Sequence, residues 1–184
     1  MKKMVAFVGS PRKNANISTI VGEIVRGAKE AGAETKVYTL SDMNIKQCQG
    51  CFHCREVEMC AIKDDMQLVY EDIKEADAIV IGSPVYMHQV TALTKLLIER
   101  LFPLTDSNFK PRFGIKKTIM VYSQGNPDAN SFKTSFDINA NVLKVMGLDV
   151  MDTIISAGAN VPTTSGNNAT LMETAFQAGK RLVE

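Results

Sequence analysis

Short runs of β-branched and other apolar residues alternate along the chain with longer segments in which apolar residues recur every three or four positions. The short runs are typical of buried strands, and the longer segments have the period of amphipathic helices. The pattern predicts strands at residues 4–8, 37–40, 77–82, 119–122 and 149–155, and helices at residues 17–31, 65–75, 91–102, 130–146 and 168–183.

Regular alternation of strand and helix indicates parallel strands joined by helical crossovers, because a tight turn cannot connect parallel neighbours. We therefore expect an α/β fold of three layers, a doubly wound five-stranded parallel sheet with helices on both faces. Five strands in 184 residues favour the flavodoxin-like order 2-1-3-4-5 over a six-stranded dinucleotide-binding sheet. Because the sequence shows no linker or internal repeat, we expect residues 1–184 to form a single domain.

Composition and charge mainly exclude classes of function. Hydrophobic residues make up 45% of the chain and charged residues 22%, as in ordinary folded domains. A net charge of +1 gives no electrostatic reason to expect nucleic acid, and no apolar run approaches the roughly 18 residues that span a bilayer. The apolar run at residues 4–8 stops at Gly9, which disfavours a signal peptide. We expect a cytoplasmic protein with neither nucleic acid nor membrane as a partner.

All four cysteines fall within a segment that we call the cysteine loop (residues 47–61). A reducing cytosol disfavours disulfides, so the clustering points to chemistry. Cys48, Cys51, Cys54 and Cys60 have the spacing C-x2-C-x2-C-x5-C, which opens like the bacterial ferredoxin run, and four thiolates suit a [4Fe–4S] cluster. Structural zinc sites more often use two separated pairs. An iron–sulfur cluster, zinc or another metal, and free or redox-active thiols all remain as interpretations.

Three further segments follow the first, third and fourth predicted strands, at the sheet edge where folds of this order bind ligands. Residues 9–19 are rich in hydroxyl and amide donors at a helix start, which suits one phosphate group, although a turn with a helix cap explains them equally. Residues 82–88 offer an apolar wall for an aromatic ring, and residues 123–127 lie on the same edge. No G-x-G-x-x-G motif, triphosphate-binding loop or hydrolytic His pattern is present.

The combination of these segments resembles the iron–sulfur flavoproteins, within the wider group of NAD(P)H-dependent FMN reductases that have the flavodoxin-like fold. The resemblance runs from the start to about Arg100 and rests on GSPRKNANIST, the cysteine run followed by KDDM, GSPVYM, and Lys95 with Glu99-Arg100. The sequence departs from the family pattern at Ala15, where glycine is usual, and at Glu99, where aspartate is usual.

The resemblance implies an FMN-containing oxidoreductase that passes electrons between FMN and a [4Fe–4S] cluster held by the four cysteines, with NAD(P)H as a candidate donor. It places the FMN phosphate in the first segment and the isoalloxazine ring against the second, with the third closing the other side. The expected cofactor-binding residues are Ser10, Arg12, Asn16, Ser18, Thr19, Pro84, Val85, Tyr86, Met87, Ser123, Gln124 and Gly125.

The short, polar cysteine loop would leave a cluster near the surface, so we expect a neighbouring subunit to cover it in a homodimer or homotetramer. A redox partner protein such as a ferredoxin is a further expected partner. Two alternative hypotheses remain, an NAD(P)H-dependent FMN or quinone reductase without a cluster, and a non-enzymatic redox or metal sensor.

Overall fold

The structure is a computed structural model that describes all 184 residues. The strands are β1 (Lys3–Val8), β2 (Glu34–Thr39), β3 (Ala78–Tyr86), β4 (Gln89–Val90), β5 (Lys116–Ser123) and β6 (Leu148–Ser156). The helices are α1 (Asn16–Glu30), α2 (His53–Glu56), α3 (Met66–Glu75), α4 (Ala92–Arg100), α5 (Lys133–Val145) and α6 (Ala169–Val183). No helix combines the length and the apolar character that crossing a bilayer requires.

Five parallel strands form the sheet in the order β2-β1-β3-β5-β6, and the short strand β4 pairs antiparallel with the end of β3. Without β4, this is the predicted order 2-1-3-4-5. The predicted α/β flavodoxin-like fold is therefore confirmed. The sequence pattern missed β4 because a two-residue strand is too short to show a period.

Two apolar layers enclose the sheet because successive side chains of a strand point to opposite faces. Val5 and Phe7 of β1 face the layer formed with α3, α4 and α5, whereas Met4 and Ala6 face the layer formed with α1 and α6. This arrangement accounts for contiguous apolar runs in the central strands, which are covered on both faces.

The predicted bounds differ most at the end of β3, while β2 and β5 begin three residues earlier and α5 three residues later than predicted. We predicted that the third strand ends at residue 82, but its pairing with β5 continues to Pro84, opposite Ser123. We predicted a helix from residue 130, but α5 begins at Lys133. The residues before it form turns in which the side chains of Asn126 and Asp128 accept hydrogen bonds from backbone N–H groups, an alternative to the helix that these residue types favour.

Helices α1 and α6 pack closely because glycines stand at their contact. An added Cβ at Gly27 would lie 2.0 Å from the carbonyl oxygen of Phe176, and one at Gly179 would lie 2.0 Å from that of Ile24. Gly22, also in α1, has no atom within 4 Å of such a Cβ.

We therefore expect Gly27→Ala to lower the free energy of unfolding by about 1–3 kcal/mol, because the two helices must move apart. Gly22→Ala is the matched control and should raise it by about 0.5–1 kcal/mol, because alanine is the better helix former. Urea titration of both variants checks this. Equal stability of the two variants would show that the close packing contributes nothing.

Candidate functional site

The carboxyl ends of β1, β3 and β5 border a small cleft of about 70 Å³. Nine of the twelve expected cofactor-binding residues line this cleft, namely Ser10, Arg12, Asn16, Pro84, Val85, Tyr86, Ser123, Gln124 and Gly125. Ala15, Ile17 and Ala159 complete the lining. The loops after three strands thus meet at the edge where the strand order reverses.

The start of α1 presents unpaired backbone donors to the cleft. Its N-cap is Ala15, which has no side-chain oxygen to accept them, so the N–H groups of the first turn remain available to an anion. Arg12 lines the cleft as well, whereas the neighbouring Lys13 forms an ion pair with Asp42 at 2.9 Å. The helix start and Arg12 together favour a negatively charged group.

The hydroxyl groups of the first segment have unequal roles. Ser18 Oγ accepts from Ala15 N at 2.9 Å and donates to Ala15 O at 2.8 Å, and Thr19 Oγ1 donates to the same carbonyl at 3.1 Å. Both hydroxyls thus hold the helix start in shape and do not line the cleft. The buried Ser10 lies in the cleft wall, where its Oγ accepts from Arg12 N at 3.1 Å.

Asn16 is directed mainly at another loop. Its Nδ2 donates to Val161 O at 2.9 Å, and its Oδ1 accepts from Ser165 N at 2.9 Å. Ser165 also shares a buried hydrogen bond of 2.7 Å with Ser156 at the end of β6. Asn16 therefore fastens the segment after β6 across the start of α1.

The segment after β6 (residues 157–168) is a fourth wall that the sequence analysis missed. Ala159 N donates to Gln124 O at 2.8 Å, and an added Cβ at Gly125 would lie 2.7 Å from Asn160 Oδ1. Its position after the last strand, together with its small polar residues, was a signal that could have identified it.

The end of β3 forms a two-residue hairpin with β4. Met87 and His88 occupy the turn with φ of 48° and 68°, as a type I′ turn requires, although glycine and asparagine are the residues that adopt this conformation readily. The His88 ring packs edge-on to Phe132 at 5.1 Å, and Ser135 Oγ donates to His88 O at 2.9 Å. These contacts hold the turn, which leaves Met87 92% exposed and outside the cleft lining.

Gln124 is buried in the loop after β5, and only the nitrogen of its side-chain amide has hydrogen-bond partners. Its Nε2 donates to Asn126 O at 3.2 Å and to Asp128 O at 2.7 Å. Its Oε1 is buried with no hydrogen-bond partner. Because buried polar atoms are nearly always paired, this oxygen is an acceptor with unused capacity on a residue that lines the cleft.

The cysteine loop carries its thiols at graded exposure. Cys48 and Cys51 are exposed, Cys54 is half-buried and Cys60 is buried. Burial and the neighbouring thiols of Cys60, Cys48 and Cys51 raise the pKa of Cys54, so the other three thiols lie within electrostatic reach of Cys54. No three His, Cys, Asp or Glu side chains in the chain are close enough together to hold a metal ion.

Arginines fasten the cysteine loop to its surroundings. Arg112 Nη2 donates to Cys54 O at 3.1 Å, and Arg55 Nη2 donates to Ser107 O while its guanidinium lies 3.9 Å from the Phe109 ring centre. Arg100 forms a buried ion pair with Asp64. Burial opposes ionisation of Asp64, but hydrogen bonds from Arg100 and from backbone N–H groups outweigh it and lower the pKa of this carboxyl.

Comparison with known proteins shows the family of the chain. Residues 2–147 match the model of the NADPH-dependent FMN reductase family. The chain therefore belongs to this family, a class of flavin-dependent oxidoreductases, and the expected class of enzyme is confirmed.

Two similar relatives are both iron-sulfur flavoproteins. An iron-sulfur flavoprotein of Methanosarcina thermophila is 38% identical over 107 residues, 58% of this chain and 56% of the relative. Another of Archaeoglobus fulgidus is 31% identical over 156 residues, 85% of this chain and 77% of the relative. The chain thus spans little more than half the length of the Methanosarcina protein. The resemblance found in the sequence is confirmed.

The fold also matches solved structures. An NAD(P)H:quinone oxidoreductase from Methanothermobacter marburgensis superposes with a TM-score of 0.74 and 18% identity, over 99% of this chain and 98% of that chain. At this identity the match supports the fold alone.

We expect Asn16→Ala to lower the free energy of unfolding by about 1–2 kcal/mol, because the buried N–H of Ser165 and the partly buried carbonyl of Val161 lose their partner. The amides of residues 159–165 should also exchange faster with solvent. Asn167→Ala, in the exposed part of the same segment, is the control and should change neither property. Denaturant titration and hydrogen exchange measure both, and identical behaviour of the two variants would contradict the role assigned to Asn16.

Proposed function

We propose that the protein is an FMN-containing electron-transfer oxidoreductase that passes electrons between FMN and a [4Fe–4S] cluster. The observation that carries the proposal is the cleft with an open helix start at one end and the unpartnered Gln124 Oε1 in its wall. When bound, FMN exchanges electrons in pairs or singly and a cluster exchanges them singly, so together they would link two-electron donors to one-electron acceptors.

The residues of the cleft fit FMN by their chemistry. The N–H groups at the start of α1 and the Arg12 guanidinium would bind its phosphate. At the end of β3, Pro84, Val85 and Tyr86 would pack against the isoalloxazine ring. Gln124 Oε1 would accept a hydrogen bond from an N–H group of this ring. Tyr86 is 42% exposed, which leaves one side of this region open to an electron donor such as NAD(P)H.

The cysteine loop fits a cluster by donor type and number. Cys48, Cys51, Cys54 and Cys60 would hold it. Two of the four buried unpartnered polar atoms of the chain, Arg55 Nη1 and Arg100 Nε, belong to the arginines that fasten this loop. N–H donors of this kind stabilise sulfur ligands that carry negative charge.

The second candidate function is an NAD(P)H-dependent FMN or quinone reductase without a cluster. The observation that favours it is that the four thiols are not gathered into a ligand set. The two candidates share the flavin cleft and differ only in what the cysteine loop holds, so one experiment separates them.

Protein purified anaerobically should show flavin absorbance and about four iron and four sulfide per FMN. Cys51→Ala should lose most of the iron and keep FMN, while Val57→Ala, exposed on the same loop, should keep both. Absorbance spectra with iron and acid-labile sulfide assays measure this. Flavin without iron in the wild type would favour the second candidate. A colourless protein would contradict both.

We further propose that the protein acts as a homodimer or homotetramer and that an external redox protein such as a ferredoxin is a partner. An apolar groove lies beside Cys48, and its lining includes Ile98, Phe102, Phe109, Val142 and Val145. Phe109 is 58% exposed and Val142 is 44% exposed. An apolar face of this extent next to the cysteine loop supports coverage by a second copy of the chain.

Light scattering of the protein with its cofactors retained should therefore give at least twice the 20.2 kDa mass of one chain. Val142→Glu should shift the mass toward one chain, because a carboxylate would be buried without a partner. Glu173→Gln, on the exposed surface of α6, should leave the mass unchanged. A monomeric wild type would contradict the proposal.

A further inference from the structure

The two ends of the cysteine loop are joined by a buried ion pair. The side chains of Arg100 and Asp64 are 1% and 0% exposed, and their closest atoms, Nη1 and Oδ2, are 2.5 Å apart. Arg100 Nη2 also donates to Asp64 Oδ1 at 3.0 Å, which makes the contact bidentate. Asp64 follows the loop in sequence, whereas Arg100 is the last residue of α4.

The pair binds the backbone N–H and C=O groups of Lys46, the residue that precedes the loop. Asp64 Oδ2 accepts from Lys46 N at 2.9 Å, and Arg100 Nη1 donates to Lys46 O at 2.6 Å. Both polar backbone groups of Lys46 are thereby fixed to the far end of the loop. A second link lies just outside, where Asn44 N donates to Asp65 Oδ2 at 2.7 Å and Asp65 N donates to Asn44 O at 3.3 Å.

The surroundings fix the pair itself. The Tyr70 hydroxyl of α3 donates to Arg100 O at 2.7 Å, so the end of α4 is held against α3. Asp64 Oδ1 accepts from Met66 N at 3.1 Å at the start of the same helix. Cys60 lies within electrostatic reach of both Tyr70 and Arg100. The network thus connects the loop ends to two helices and extends to the most buried thiol.

Stability alone does not account for such a pair. Desolvation of two buried charges largely cancels their attraction, and apolar residues of similar size are often as stable or more so. Arg100 Nε adds to the cost because it is buried without a partner. The pair provides hydrogen-bond partners for both backbone groups of Lys46, which is 18 residues from Asp64 in the sequence. It is therefore suited to fixing the conformation of the loop.

We propose that Arg100 and Asp64 are positioning residues that hold the two ends of the cysteine loop at the separation its metal centre requires. This inference rests on the proposed function for its purpose, while its structural part concerns the loop alone. Without the pair, only the outer link between Asn44 and Asp65 would join the two ends, and both backbone groups of Lys46, two residues before Cys48, would lose their partners. The role assigned here is distinct from metal ligation, which belongs to the cysteines.

The test replaces the pair by apolar residues, Asp64→Leu with Arg100→Met, in the full chain with FMN bound. This double variant keeps the volume buried but removes both bonds to Lys46. In protein freed of iron by a chelator, amides of residues 47–63 should exchange at least about tenfold faster than in the wild type, with sheet amides unchanged. Unchanged exchange in the loop would overturn the proposal.

Reconstitution with ferrous iron and sulfide supplies the second measurement. The double variant should take up severalfold less iron per FMN than the wild type, and equal uptake with an unchanged reduction potential would overturn the proposal. A wild type that takes up no iron would instead contradict the proposed function, and the exchange measurement would still decide the role of the pair.

Two further variants separate positioning from general destabilisation. Lys116→Met removes another buried cation, whose Nζ donates to the carbonyls of Lys74 and Ala76. It should lower the free energy of unfolding, but amides of the cysteine loop should not exchange faster relative to those of the sheet. Arg100→Lys keeps the charge but not the bidentate fork, so it should give intermediate exchange and iron uptake. If the double variant does not fold, Arg100→Lys decides: wild-type values for both measurements would overturn the proposal.

Discussion

The close approach of β1 and β3 at the edge of the sheet is the constraint on which the site depends. Gly9 N donates to Gly82 O at 2.8 Å, and an added Cβ at Gly9 would lie 1.8 Å from Thr94 Oγ1. A Cβ at Gly82 would lie 2.7 Å from a methyl carbon of Ile17. Neither position has room for a side chain, because α4 packs against Gly9 and α1 packs against Gly82. The hydrogen bond between the two glycines holds the first loop beside the end of β3, and the cleft forms between them and the loop after β5.

Buried polar side chains then secure the loops around this edge. Thr91 Oγ1 donates to Gly9 O at 2.6 Å, Asn16 binds the segment after β6, and Gln124 binds the turn that follows it. Each bond joins a side chain to the backbone of a loop, so the walls are held without regular secondary structure. Such a preformed site lowers the entropy cost of binding a ligand.

The cysteine loop, in contrast, is held at its ends and exposed at its centre. Its ends are fixed by Asp64 and Arg100, and Arg112 holds the carbonyl of Cys54, but Cys48 and Cys51 are exposed. Such a loop suits a metal centre, because the free energy of metal binding can itself bring the ligands together. The contrast explains why the cleft is a formed cavity, whereas the thiols are not yet a formed ligand set.

The elements that the sequence pattern predicts well are those whose pattern arises from local burial. Burial on both faces makes β1, β3 and β5 contiguous apolar runs, and the helical period of α1 and α6 follows from their packing on one face of the sheet. The end of β3 was misplaced because its last residues include Pro84 and Tyr86, whose pairing depends on β5 and β4 rather than on their own pattern.

By itself, then, the sequence determined the order of the sheet, the edge that bears the site and the spacing of the four cysteines. Only the tertiary structure decided which side chains face the cleft: Ser10 lines it, whereas Ser18 and Thr19 hold the helix start. It also decided that Asn16 meets Ser165, 149 residues away, and that Asp64 meets Arg100. Periodicity records only whether a residue is buried, while the partner of a buried polar group depends on how distant segments approach in space.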